Sequence, residues 1–300
     1  MSKIGFSIIV PTYNRANFVV EAINSALNQT YKLPYEVIVV DDGSIDDTEK
    51  ILLEYMKREP RLKFIKHERN KGLAAARNTG ILNSQGEYLL FLDSDDKLLP
   101  DALNVFARAV ETYSDGDVFI GRIIRENLKS KKLGPVPKIS GNNKKDFQKF
   151  LKREIPLVAG SFIVKKSIIE QNLFPEEIRL REDLPVYGYL IAMYRCYALK
   201  DPVVIIKDHP DRLRKDENLL KQRNLKPLEI LFQRLPQDFQ NFYSFALSRE
   251  YLSIFRSYYL IGEYSKAIEY YHKAIRVYSK NLFLISYFKK YLKGIIKSLF

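Results

Sequence analysis

The sequence predicts an α/β protein: a mostly parallel central sheet flanked by helices, followed by an α-helical C-terminal region. Three observations predict it. Short apolar runs at 6–10, 36–40, 62–65 and 87–92 are each followed, after polar turn residues, by a segment with helical spacing. Such alternation lays strands side by side with helices as right-handed crossovers. The run at 87–92 is nearly all apolar and bounded by turn residues, the pattern of a strand covered on both faces. Beyond about Leu213 the strand pattern stops, and the chain turns helical in spacing, rich in Tyr and Phe, and basic.

Element by element, the strand at 6–10 ends at Pro11-Thr12-Tyr13-Asn14, and 16–28 is a helix with Val19, Ala22, Ile23, Ala26 and Leu27 on one face. The strand at 36–40 ends in Asp41-Asp42-Gly43-Ser44, and a helix spans 47–58. The strand at 62–65 precedes a helix at 73–83; the strand at 87–92 precedes one at 101–112. A strand is expected at 117–125. Residues 126–145, rich in Lys, Gly, Pro and Asn, read as a loop or flap. A strand at 157–164, a helix at 165–172, a partly helical stretch at 184–199 and a last strand at 203–206 complete the first domain, placed at 1–215. The helical region takes 216–300.

Lys and Arg total 49 against 36 Asp and Glu, a net charge of +13 that suits anionic partners such as nucleotides or an anionic membrane. The excess concentrates in 271–300, which hold seven Lys and Arg and no acid. Cys196 is the only cysteine, so an intramolecular disulfide is excluded and a reducing compartment is expected. Neither a signal peptide nor a run of about 20 apolar residues is visible. A cytoplasmic protein is expected, peripheral on the cytoplasmic face if it meets a membrane.

The chemistry concentrates at the carboxyl ends of the early strands, where open α/β sheets place ligands. Asp93-Ser94-Asp95-Asp96 sets three carboxylates within four residues. Two like charges ~4 Å apart cost roughly 4 kcal/mol at an effective dielectric near 20. A divalent cation would reverse that repulsion, and an all-oxygen set suits magnesium or manganese. Asp41 to Thr48 reads either as a ligand loop or as a turn with a helix N-cap. In Asn70 to Gly80 the small residues suit close helix–sheet packing, and Arg77 suits either solvent or an anionic ligand.

Taken together with Ser7-Ile8-Ile9-Val10-Pro11-Thr12-Tyr13-Asn14-Arg15, these segments resemble the family 2 glycosyltransferases of the GT-A fold. The match is tight over about 5–100 and looser to about 215. The resemblance implies that Pro11 and Tyr13 pack on the nucleotide base, that Asp42 accepts a hydrogen bond from it, and that Arg77 lies near the nucleotide. Asp93 and Asp95 form the Asp-x-Asp motif, meeting the ribose and a Mn2+ or Mg2+ ion that bridges the diphosphate, with Asp95 the foremost metal ligand. Asp96 reads as a supporting acid or a helix cap. Glu182-Asp183 matches the family's acid pair, with Asp183 as general base and inversion at the anomeric carbon as the outcome. His209, after the last strand, completes the metal site or touches the diphosphate, and Arg212 and Arg214 contact anionic groups. The implied partners are a nucleotide-diphosphate sugar, UDP-linked by the family's habit, and a glycan or lipid-linked acceptor of the bacterial envelope. Processive members carry Gln-x-x-Arg-Trp and membrane spans; this chain has no Trp, so one or a few sugars per acceptor are expected.

Residues 260–275 look like part of one tetratricopeptide repeat, without a convincing second copy, and are expected to form a helical hairpin. The last helix sets Ile285, Phe288, Leu292, Ile295 and Leu299 on one face and Lys290, Lys293 and Lys297 on the other, which fits either an anionic lipid surface or the protein core. Competing classes are an inactive scaffold, a nucleotidyltransferase and a nucleic-acid binder. A nucleotidyltransferase would show a Gly-rich basic loop after the first strand, and no nucleic-acid motif is present.

Overall fold

The structure, a computed structural model, describes residues 5–208 and 220–298. The chain divides into two compact units, Met1–His209 and Pro210–Phe300.

In the first unit a nine-stranded sheet has the order β3-β2-β1-β4-β8-β6-β9-β5, with β7 hung on β6. Strands β1 (Phe6–Thr12), β2 (Tyr35–Asp41), β3 (Leu62–Lys66) and β4 (Tyr88–Phe91) are parallel, as the alternation predicts. They are linked by α1 (Ala16–Leu27), α2 (Thr48–Arg58) and α3 (Leu73–Leu82). After β4 come the two-residue β5 (Lys97–Leu98), α4 (Ala102–Thr112), β6 (Val118–Asn127), β7 (Ser130–Leu133) and α5 (Asn143–Leu151). The unit closes with β8 (Phe162–Lys165), α6 (Lys166–Ile169), α7 (Asp183–Met193) and β9 (Cys196–Lys207). Strand β8 runs antiparallel to both β4 and β6, so β6 and its parallel partner β9 point the same way as β1, β2 and β4. The carboxyl ends of these five strands and of β3 therefore share one edge.

Apolar runs explain the core. Ile8, Val10, Val37, Val39 and Leu90 face Val19, Ala22, Ile23 and Leu52 with no side-chain exposure. On the other face α3 lies close to the sheet: a Cβ built on Gly80 would come within 2.3 Å of Ile9 Cγ2. The small residues of 72–80 are what allow that approach. Pro11 is buried inside β1 opposite Val40, not in the loop beyond it. Its missing N–H does no harm, because pairing with β4 stops at Ile9 and Phe91 and that side of β1 is already open.

Later elements depart from the sequence reading in extent. The expected flap holds a β-hairpin and the start of α5. Asn127 Oδ1 accepts from the N–H groups of Lys129 and Ser130 and so closes the turn, and Asn142 accepts from Lys145 N to cap α5. The expected strand at 157–164 shrinks to β8, because Gly160, at φ +80°, and Ser161 form a turn. The helix expected over 165–172 is the single turn α6. The stretch 184–199 divides into α7 and the first residues of β9, and β9 runs on through the polar pair Lys200-Asp201 that hid its continuity.

The second unit is helical: α8 (Lys226–Arg234), α9 (Tyr243–Leu260), α10 (Tyr264–Val277) and α11 (Ile285–Ser298), with 3-10 turns at Gln237–Phe242 and Ser279–Phe283. The hairpin α9–α10 turns at Gly262, which takes φ +81°. Ala267 and Ala274, both fully buried, let α10 pack on Leu252 and Phe255. Tyr287 and Tyr291 of α11 pack against the same cluster, with Tyr291 stacked on Tyr271.

Candidate active site

The shared edge collects the residues singled out above, apart from His209, Arg212 and Arg214, which lie outside the described residues. The β1 loop is built first. Asn14 takes φ +50°, a left-handed turn that Asn tolerates. Its Oδ1 accepts from Ile45 N, and its own N–H donates to Ser44 Oγ. The loops after β1 and β2 thus lock together and leave Tyr13 41% exposed on the edge.

Asp42 is buried, and three donors converge on it. Lys71 N and Gly72 N donate at 2.9 and 2.7 Å, and His67 Nδ1 lies 2.7 Å from Oδ1. A carboxylate only accepts, so Nδ1 carries the proton. His67 Nε2 lies 2.9 Å from Thr79 Oγ1. Asp42 therefore gathers β2, the residue after β3 and the start of α3. The sequence reading did not single out His67 or Thr79; the signal available was the position of His67 directly after β3.

Arg77 stands at the centre. It is buried, donates from Nη1 to Glu182 Oε1 at 2.8 Å and from Nη2 to Asp93 Oδ1 at 3.1 Å, and lies over the Phe174 ring at 5.2 Å. It joins the first acid of Asp93-Ser94-Asp95 to the residue before Asp183. Burial opposes its charge, but the surrounding Tyr187, Asp93, Glu182 and Asp183 outweigh burial and hold it protonated. Burial pushes the Glu182 carboxyl up to about 7; Arg77 opposes that shift, and the nearby Asp183 and Asp93 charges add to it. Burial likewise pushes the Tyr187 phenol above its ordinary value.

Ligand atoms of Asp93, Asp95 and Asp96 lie within 4.8 Å of one another, and the three acids could hold a metal ion. Their roles differ. Asp96 Oδ1 accepts from Lys207 N at 2.8 Å, tying the acid turn to the end of β9, so it is a structural support and not a helix cap. Asp93 already faces Arg77. An all-carboxylate set with one member charge-matched fits a hard divalent cation.

Asp183 is the first residue of α7, half-exposed, with Glu182 at the N-cap position. The preceding Arg181 takes φ +64°, an uncommon value for a side chain of that size, and this turn sets Glu182 inward. Acidic residues at a helix start are favoured by its dipole. Around these groups Thr12 Oγ1, Asp41 Oδ2, Arg77 Nε and the Tyr187 hydroxyl are buried with no hydrogen-bond partner among the described residues. Buried polar atoms without a partner are uncommon in folded proteins.

Residues 7–173 match the family model described as Glycosyl transferase family 2. An uncharacterized glycosyltransferase of Rickettsia felis is 37% identical over 59% of this chain and 28% of its own length. The uncharacterized glycosyltransferase EpsJ of Bacillus subtilis is 30% identical over 73% of this chain and 68% of its own. The Campylobacter jejuni GalNAc(5)-diNAcBac-PP-undecaprenol beta-1,3-glucosyltransferase is 36% identical over 57% of this chain and 55% of its own. The chain thus spans little more than a quarter of the Rickettsia relative. Among solved structures, S. aureus TarS 1-349 in complex with UDP-GlcNAc has the same fold, with a TM-score of 0.59 at 20% identity over 93% of this chain and 92% of that one. The same fragment in complex with UDP gives 0.57 at 21% over the same shares.

Proposed function

Because the chain belongs to glycosyl transferase family 2, we propose that it moves a sugar from a UDP-sugar to a hydroxyl of a glycan or lipid-linked glycan of the bacterial envelope, inverting the anomeric carbon. The observation that carries this is the Asp93–Arg77–Glu182 bridge, which fixes the acid motif and Asp183 in one frame although they lie far apart in sequence. The UDP and UDP-GlcNAc of the TarS complexes support the donor class, and the undecaprenol-linked acceptor in the Campylobacter relative's name supports a lipid-linked acceptor. Family membership outweighs the scaffold, nucleotidyltransferase and nucleic-acid readings.

In this reading Tyr13 packs on the base beside Pro11, Asp42 holds the base-side loops and accepts from the base ring, and Asp93 meets the ribose. Asp95 and Asp93 would hold Mn2+ or Mg2+, with His209 as a further ligand or diphosphate contact. When bound, such an ion stabilises charge on the departing diphosphate as a Lewis acid. Asp183 takes the proton of the acceptor hydroxyl as its oxygen attacks the anomeric carbon and the bond to the diphosphate breaks. The inward turn at Arg181 and the Glu182–Arg77 bond hold Asp183 at the edge while it does so. Residues 1–215 are the catalytic domain and 216–300 a helical appendage.

The last helix serves as a membrane contact in this reading, on the cytoplasmic face. Helix α11 packs inward through Tyr287 and Tyr291, with Leu284 just before it, and leaves Ile285, Phe288, Leu292 and Ile296 exposed along a stripe bordered by Lys289 and Lys293. Ile296, not Ile295, completes the stripe, and Leu299 lies outside the described residues. Among the described residues no helix is long and apolar enough to cross a membrane.

The test is product stereochemistry by NMR with a soluble acceptor, together with Asp183→Asn. Inversion, with transfer reduced by roughly 10²–10⁴-fold at unchanged donor binding, is expected. Retention of configuration, or full activity in the variant, would remove Asp183 as the base.

A further inference from the structure

The β6–β7 hairpin carries an exposed surface apart from the residues assigned roles above. Leu128, at its tip, is 101% exposed; Leu133 is 51% and Val136 38% exposed. Residues 127–145 hold six lysines and no Asp or Glu. Lys129, Lys131, Lys132 and Lys138 are exposed, with Lys131 3.6 Å from Glu126.

This segment is held firmly. The Asn127 turn closes the tip. Arg122 Nε and Nη2 both donate to Gly134 O, at 3.0 and 2.8 Å, and Gly134 N donates to Ile123 O. Lys149 Nζ anchors Lys138 O at 2.8 Å. A rigid turn therefore presents an uncovered leucine among lysines.

Its place in the sheet matters. Glu126 is the register partner of Lys207, whose N–H binds Asp96 of the acid turn. Strand residues advance ~3.3 Å each, so Leu128, two residues on, lies within roughly 10 Å of Lys207 along the strand direction. The tip projects from the same edge as the acids.

We propose that this hairpin is a docking surface for an anionic lipid bilayer, with Leu128 entering the headgroup layer and the lysines pairing with lipid phosphates. Charge complementarity selects the occupant: a rim in which the exposed lysines outnumber the single acid, Glu126, around an apolar tip matches an anionic interface, whereas a neutral glycan offers neither charge for the lysines nor an apolar layer for the leucine. The surface lies on the catalytic unit itself and does not depend on α11. Docked this way, the site edge would face the bilayer from which a lipid-linked acceptor presents its sugar. That last step rests on the proposed acceptor; the docking does not.

The test uses the full chain with Leu128→Cys labelled by an environment-sensitive fluorophore. Cys196 is buried, so the label goes to the tip. Vesicles of phosphatidylcholine with and without phosphatidylglycerol are the probe, and UDP-sugar binding is read in the same samples to keep the donor site separate. A blue shift that requires phosphatidylglycerol and is quenched by brominated acyl chains is expected. Changing Lys129, Lys131 and Lys132 together to Gln should weaken vesicle partition by roughly 10–100-fold and leave UDP-sugar binding unchanged. A label that stays in water while the chain binds vesicles, an equal shift on neutral vesicles, or partition unaffected by the three substitutions would each overturn the proposal.

Discussion

Glu182→Gln isolates the buried acid that links Arg77 to the Asp183 turn. Its side chain is buried and its carboxyl is pushed from 4.5 up to about 7. Below the lower value it is protonated in both folded and unfolded chains and leaves stability unchanged. As pH rises towards 7 the unfolded chain ionises while the folded one keeps its proton, so stability falls; above about 7 both are ionised and the loss is constant. The difference between the two pKa values corresponds to about 3 kcal/mol. Gln still accepts from Arg77 Nη1 but does not titrate. For a unit of this size the loss amounts to roughly 6–12 °C in melting temperature. Scanning calorimetry of both proteins from pH 5 to pH 8 should therefore show the variant gaining on the wild type as pH rises, with most of the gain complete near pH 7. A constant difference across that range would refute the account of Glu182 as a carboxyl held largely by burial.

The other predictions follow from single contacts. Asp42→Asn sets an amide N–H₂ against the donors Lys71 N, Gly72 N or His67, leaving a buried donor unpaired; thermal melts should show about 1–3 kcal/mol of destabilisation, and UDP affinity should fall with it. Gly80→Val forces side-chain atoms into Ile9 and should destabilise by about 1–3 kcal/mol in denaturant titrations, without altering the residues at the site. Phe288→Asp with Leu292→Asp, both exposed on α11, should weaken flotation with anionic vesicles while calorimetric UDP binding is retained.

Much of the first unit was legible because its signals are local. The apolar residues at 6–10, 37–40 and 88–91 lie in strands buried on both faces, and the face of α1 buries the five residues that its spacing names. The acids at 93–96 could be placed because they directly follow a strand. Legibility fell where order comes from partners distant in sequence. Nothing near 126–145 announces that Arg122 will pin Gly134, so the hairpin looked like a flap. For Arg77 the spacing leaves solvent and an anionic ligand both open, because its protein partners, Asp93 and Glu182, are brought to it only by the fold. The role of Asp96 was open for the same reason: its acceptor oxygen is used by Lys207, 111 residues on. The exposed face of α11 is shifted from the one its apolar spacing names, because Tyr287 and Tyr291 form the side that packs.

The central claim is that the edge gathered by Asp42, Arg77, Asp93 and Asp95 is a metal-dependent nucleotide-sugar site. Calorimetric binding across UDP-, GDP- and dTDP-sugars, with and without Mn2+ or Mg2+, tests it most directly, with Asp95→Ala beside the wild type. A UDP-sugar should bind, binding should need the ion, and Asp95→Ala should abolish it. Absence of binding to any donor, or binding that Asp95→Ala and metal removal leave unchanged, would contradict it.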